Sequence, residues 1–211
     1  MVTLNSEMVV NASRDSAFKE LLGKADLIVP DGTGVVLATR FLRWKRIWRL
    51  PGIELAEGIF KTAERSGRSV YLLGAHENVL EAAKARLLAM HPKLKIAGSH
   101  HGYFRGNEEE VIQDIIARGA DILLVGTGSP GQEYFIARTR DRLPCKLYMG
   151  IGGSFDVWAG SRRRASKMVQ RMGLEWLHRS ILDVKRWPRL SFIPLFIWMV
   201  IAAKVTGRNE A

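Results

Sequence analysis

The sequence predicts an open, doubly wound α/β fold. Short apolar runs rich in Val, Ile and Leu recur along the chain, amphipathic stretches of helical period separate them, and most runs end in glycine or a small polar residue. Strand and helix alternating at this spacing argue for a parallel sheet with helices on both faces.

Taken in order, the predicted strands are Val2–Leu4, Leu27–Val29, Val70–Leu73, Leu94–Ala97, Ile122–Val125 and Lys146–Met149. The predicted helices are Ser16–Leu22, Thr33–Phe41, Ile53–Ser66, Asn78–Met90, Glu108–Ala117 and Gln132–Arg142. Together they describe a Rossmann-like domain over residues 1–160, followed by an appendage over 161–211. In such folds ligands bind beyond the carboxyl ends of the strands. Here those ends carry Thr3 and Asn5, then Pro30-Asp31-Gly32, Gly74-Ala75-His76, the Gly126–Glu133 segment, and Gly150 to Asp156. Each loop alone reads as turn chemistry; several converging on one sheet edge describe a nucleotide-type crevice.

Composition narrows the classes. The chain has 211 residues and a formal net charge of +11, unevenly placed: Ser161 to Ala211 holds eleven Lys or Arg against three Asp or Glu, a net of +8. A basic excess confined to the tail disfavours nucleic acid as the partner. Cys145 is the only cysteine, which excludes an intramolecular disulfide and a multi-thiolate metal site and fits a reducing, cytoplasmic compartment. The N-terminal residues show no apolar signal-peptide core.

The glycine-dense segment Gly150, Gly152, Gly153, with Asp156 and the basic run Arg162-Arg163-Arg164 behind it, suits an anionic ligand approached by backbone N–H groups. Gly126, Gly128 and Gly131 also have the G-x-G-x-x-G spacing of dinucleotide sites, which raises an NAD-dependent oxidoreductase as an alternative. Against it, the following strand ends in Gly150 where an acid for the ribose belongs, and Pro130 restricts the turn. A nucleic-acid-binding protein using the basic tail is the other alternative.

Six motifs then occur in a fixed order: Thr3-Leu4-Asn5; Pro30-Asp31-Gly32; Arg49 with Pro51-Gly52; Gly128, Pro130, Gln132 and Glu133; Gly150 to Asp156; and Gly173-Leu174-Glu175-Trp176-Leu177 with Arg179. In this arrangement the chain resembles the WecG/TagA/CpsF glycosyltransferases over Val2 to about Arg189. The resemblance implies transfer of a sugar, often N-acetylmannosamine or its uronic acid, from a UDP-sugar to undecaprenyl-diphosphate-linked N-acetylglucosamine. The products would be teichoic-acid linkage units, common antigen or exopolysaccharide.

Inverting transfer needs one base for the acceptor hydroxyl and stabilisation of the departing diphosphate. The resemblance gives the base to Asp31, whose alternative reading is an N-cap for the helix near Thr33. It gives substrate contacts to Thr3 and Gln132, and with less weight to Asn5, Glu133 and Asp156. No Asp-x-Asp signature or H-x-x-x-H pair occurs, so neither a cofactor nor a metal is expected. The diphosphate would then fall to backbone N–H groups of the Gly126–Gly128 and Gly150–Gly153 loops and to Arg49, Arg179, Arg186 and Arg189. His100 and His101 precede Gly102-Tyr103-Phe104 without an assigned role.

Leu190 to Ala203 is a nearly continuous apolar run of fourteen residues. A spanning helix needs about 20, and Pro194 is expected to break this one further. With Arg186 and Arg189 before it, Lys204 and Arg208 after it, and Trp187 and Trp198 suited to the boundary layer, it fits peripheral attachment to the inner face of the plasma membrane, where a lipid-linked acceptor lies. Packing on the protein's own core is the competing reading, and the oligomeric state, a homo-oligomer included, stays open. Two departures from the family pattern are Gly131 in place of a lysine and Ser166 in place of a proline. Relatives also commonly carry a segment before the Thr-x-Asn motif, which points to an edge element absent here.

Overall fold

The structure is a computed structural model that describes residues 1–44, 46–104, 106–162, 166, 168–169 and 191–207. Its elements in chain order are β1 (Val2–Leu4), α1 (Ser6–Arg14), α2 (Ser16–Gly23), β2 (Ile28–Pro30), α3 (Thr33–Phe41), α4 (Gly52–Ser66), β3 (Ser69–Gly74) and α5 (Glu77–Met90). There follow β4 (Lys95–His100), α6 (Glu108–Arg118), β5 (Ile122–Gly126), α7 (Gly131–Thr139), β6 (Leu147–Gly150), α8 (Ser154–Trp158) and α9 (Phe192–Val205). Two helices, α1 and α8, were not anticipated from sequence.

The chain gathers into two compact units. The first comprises Met1–Thr3, Lys24–Leu27 and Gly52–Arg163; the second comprises Leu4–Gly23, Ile28–Pro51 and Arg164–Ala211. Residues before 160 therefore contribute to both units.

In the first unit four parallel strands lie in the order β4-β3-β5-β6. Alternate residues of each strand face opposite sides, and both sides are covered. Val70, Leu72, Ile122 and Leu124 pack with Ala56 and Phe60 of α4, Leu80 and Leu87 of α5, and Phe155 and Trp158 of α8. Tyr71, Leu73, Leu123 and Val125 pack on the other side with Val111, Ile112 and Ile115 of α6 and Phe135 of α7. A sheet buried on both faces is why its strands read as continuous apolar runs rather than alternating ones.

Strand order, not strand content, fixes the crevice. From β3 the chain crosses one face through α5 to reach β4; from β5 it crosses the other face through α7 to reach β6. The direction of winding reverses between β3 and β5, and a ligand crevice opens at such a switch point. The strands there are drawn very close: a Cβ on Gly74 would stand 2.5 Å from the Gly126 carbonyl oxygen.

The first two strands did not join this sheet, contrary to a single six-stranded reading; β1 and β2 form a separate two-stranded sheet. Both are only three residues long. In the second unit α1 packs against α2 and α9. Gly34 of α3 lies against Ser6 and the Phe196 ring, where a side chain would not fit. Pro194 does not break α9, correcting the sequence expectation. It sits in the first turn, where the absent N–H has no intrahelical acceptor to lose. Among the described residues no helix is long and apolar enough to cross a membrane.

Candidate active site

At the carboxyl edge of the four-stranded sheet, β5 runs through Gly126-Thr127-Gly128 into α7, whose first turn begins with a hydrogen bond from the Gln132 N–H to the Gly128 carbonyl, 2.9 Å. Gly128 has φ +91°, a conformation that favours glycine. Gly126 is required for a different reason: a Cβ there would lie 2.7 Å from the Phe155 ring and 2.9 Å from the Gly152 carbonyl oxygen. The loop thus packs tightly on the segment after β6.

Gln132 and Glu133 are polar yet buried, at 4% and 5% exposure. The Gln132 Nε2 donates to Glu133 Oε1 at 2.6 Å, while Gln132 Oε1 accepts from the Gly152 N–H at 3.0 Å. Both ends of the amide are held, so its orientation is fixed. The amide lies over Gly150, where any Cβ would strike it. The Gly150 carbonyl in turn lies 3.5 Å from Thr3 Oγ1, which donates to it. Thr3, Gln132, Glu133, Gly150 and Gly152 are therefore one cluster.

Burial pushes the Glu133 carboxyl above the usual carboxylate range, an effect the Gln132 donor opposes. Glu133 Oε2 and Ser129 Oγ are both buried, and the Ser129 hydroxyl adds to the Gln132 donor in opposing the rise.

The segment after β6 is shorter than expected and is differently used. Three of its N–H groups are engaged within the protein: Ile151 with the Val125 carbonyl, Gly152 with Gln132, and Ser154 with the Ile151 carbonyl. At Ile151, Gly152 and Ser154 the anticipated anion cradle therefore holds Gln132 and closes the turn into α8. Gly153 is the residue preceding that helix. Asp156 lies in its first turn, 3.9 Å from Arg162 Nε, and its carbonyl accepts from the Arg162 N–H and Ser161 Oγ.

The switch point also carries a feature sequence reasoning left without a role. His76, after β3, stacks on Tyr103, after β4, with ring centroids 4.2 Å apart and planes 26° from parallel. Tyr103 is 64% exposed, and its N–H donates to His101 Nδ1. Gly102 ties the two loops together by donating to the Ala75 carbonyl at 2.8 Å. The sequence signal was an aromatic flanked by histidines just past a strand, uninterpretable without knowing which strand lies beside it.

In the second unit, Asn5 caps α1: its Oδ1 accepts from the Met8 N–H at 3.0 Å. The Leu4 carbonyl accepts from the N–H groups of both Asp31 and Gly32, which brings Asp31 beside Asn5. The cap position of α3 is Gly32, so the reading of Asp31 as that helix's N-cap is set aside. Arg49 Nε donates to the Asp31 carbonyl oxygen at 2.7 Å, and the Leu50 N–H donates to the Pro30 carbonyl. Asn5, Asp31 and Arg49, distant in sequence, form a second cluster. Arg179, Arg186 and Arg189 lie outside the described residues.

The model of the glycosyl transferase WecG/TagA/CpsF family matches residues 1–210. The chain belongs to this family. It is therefore a glycosyltransferase, an enzyme that transfers a hexosyl group. Relatives named N-acetylglucosaminyldiphosphoundecaprenol N-acetyl-beta-D-mannosaminyltransferase, from Staphylococcus aureus strains MRSA252 and NCTC 8325 / PS 47, are 39% and 38% identical to it over 204 residues. These alignments cover 97% of the chain and 80% of each relative.

Proposed function

We propose that the protein transfers N-acetylmannosamine, or a related hexose or uronic acid, from a UDP-sugar to N-acetylglucosamine carried on undecaprenyl diphosphate. The reaction would serve the synthesis of teichoic acid, common antigen or exopolysaccharide. The observation that carries this reading is similarity over 97% of the chain to enzymes whose name specifies that acceptor and N-acetylmannosamine.

In this reading Asp31 takes the proton from the acceptor hydroxyl as its oxygen attacks the anomeric carbon, and the bond to UDP breaks on the opposite side. The relatives' name specifies a β-linked product; nucleotide-sugar donors are ordinarily α-linked, which supports inversion. Arg49, fixed by its bond to the Asp31 carbonyl, directs positive charge toward diphosphate. Thr3 and Gln132 contact sugar hydroxyls, with Gln132 held by Glu133 and Gly152. The exposed Tyr103 face suits a planar base, since aromatic rings stack with nucleobases at about 1–3 kcal/mol each. Residues 1–160 serve as the Rossmann-like catalytic part. Residues 161–211, with Arg179, Arg186 and Arg189, hold acceptor diphosphate at the cytoplasmic membrane surface. The reaction is read as independent of metal.

The test is incubation of the protein with a short-chain analogue of the acceptor and a panel of UDP-sugars in the presence of EDTA, with mass spectrometry of the lipid product. A lipid-linked disaccharide from one donor is expected. Product only after Mg²⁺ is restored would reject metal independence, and no product from any donor, with metal and membranes supplied, would reject the reading.

A further inference from the structure

Among its described residues the second unit exposes a set of large apolar side chains. On α3, Leu37 and Phe41 are one turn apart and exposed, and after the helix Trp44 and Trp48 are exposed as well, Trp48 at 68%. On α9, Trp198, Ile201 and Val205 form a second exposed row at helical spacing. The rows adjoin: Phe196 of α9 is buried against Gly34 of α3, and Lys204 Nζ stands 6.0 Å from the centre of the Phe41 ring.

Charge identifies the occupant. Thr33 to Leu50 holds Arg40, Arg43, Lys45, Arg46 and Arg49 and no acid, and Ser191 to Gly207 holds Lys204 and no acid. Arg46 lies over the Trp48 ring at 4.6 Å, so a cation and an indole share one exposed position. Apolar rings interleaved with cations in acid-free segments suit the boundary of an anionic bilayer, where indoles take the headgroup level and Arg or Lys meet lipid phosphate. A protein partner covering this area would need matching acids.

We propose that the α3 face, the Trp44–Trp48 segment and the outer face of α9 form one surface that seats on anionic lipid. Membrane contact thus belongs to a sequence-distant N-terminal segment as well as to the tail. This rests on the lipid-linked acceptor proposed above. The placement gives the segment a purpose, because its far end is fastened to the candidate base: Trp48 is followed by Arg49, bonded to the Asp31 carbonyl, and by Leu50, bonded to that of Pro30. Seating Trp48 in the headgroup layer would hold Asp31 near the level at which a lipid-borne diphosphate emerges.

The experiment is co-sedimentation of the full chain with vesicles of phosphatidylcholine alone or mixed with phosphatidylglycerol. The chain should bind the mixed vesicles, and Trp44→Ser/Trp48→Ser should lower binding by roughly tenfold or more. Arg40→Gln and Arg46→Gln should each lower it about fivefold. Circular dichroism checks the fold, and Trp48→Ser alone, at an exposed position, serves if the double variant does not fold. Binding by these variants equal to wild type, or equal wild-type binding to neutral vesicles, would overturn the proposal. So would loss of self-association with vesicle binding intact, which would make the surface a subunit contact. Turnover of a soluble short-chain acceptor without vesicles should be unchanged in Trp44→Ser/Trp48→Ser. Absence of that turnover in the wild type would count against the proposed reaction and not against the lipid surface.

Discussion

Gln132 Nε2 and Glu133 Oε1 stand 2.6 Å apart, so two neighbouring residues in one helical turn lock each other beneath the carboxyl edge of the sheet. Consecutive helical residues ordinarily point about 100° apart. Here the bare face of Gly150 leaves room for the Gln132 amide, and the buried carboxyl gives that amide its orientation. In this arrangement Glu133 positions Gln132.

The pair has a pH signature. Burial raises the Glu133 carboxyl above its unfolded value, so between the ordinary glutamate range and the raised value the native state binds more proton than the unfolded chain. Its contribution to stability is complete below the ordinary glutamate range and falls away as pH rises through the raised value. Glu133→Gln, which keeps an acceptor for Gln132, should flatten that fall, as read by the thermal midpoint between pH 4 and 8. An unchanged slope would show that Glu133 does not titrate in this window.

Gly150→Ala tests the same cluster from the other side. The added methyl meets the Gln132 amide, whose two ends are already held. Moving it should cost about 1–3 kcal/mol of stability. Turnover should fall further than in Gln132→Asn, which keeps an amide but shortens its reach. Crystallographic placement of Gln132 in the alanine variant checks the displacement directly.

Asp31→Asn should abolish turnover while sparing UDP binding. The backbone bonds that fix this position, to the Leu4 carbonyl and from Arg49 Nε, involve no side-chain atom of Asp31. Calorimetric titration with UDP beside a single-turnover assay separates the two effects. Turnover near that of the wild type would remove Asp31 from the base's role.

Tyr103→Ala removes the exposed partner of the His76 stack. Affinity for UDP should drop by about fivefold or more, from the roughly 1–3 kcal/mol a stacked base contributes, with the thermal midpoint little changed because the ring lies outside the core. Equal losses for UDP and for a simple diphosphate would instead assign the ring to the phosphates.

The sheet was legible because its strands are buried on both faces and so read as unbroken apolar runs. β5 was anticipated within one residue, and α3 at its observed bounds. α1 was not seen: Ser6–Arg14 is polar on average, and its start rests on Asn5 as an N-cap, a residue assigned instead to substrate. α8 was concealed because a glycine run reads as loop even where the next residue begins a helix. The helix expected to reach Arg142 stops at Thr139, and β4 extends past Ala97 to His100, which carries the Gly102–Tyr103 turn to the switch point.

The sequence by itself determined the alternation of strands and helices, the family, and the residue types at the strand ends, because burial and turn chemistry act on neighbours along the chain. The reversal of winding between β3 and β5, the inward turn of Glu133 onto Gln132 and the bond from Arg49 to Asp31 arise from long-range packing. Those relations depend on which distant segments meet: 52 residues separate Gly74 from Gly126 and 18 separate Asp31 from Arg49. Local pattern carries no information about a contact that strand order alone creates.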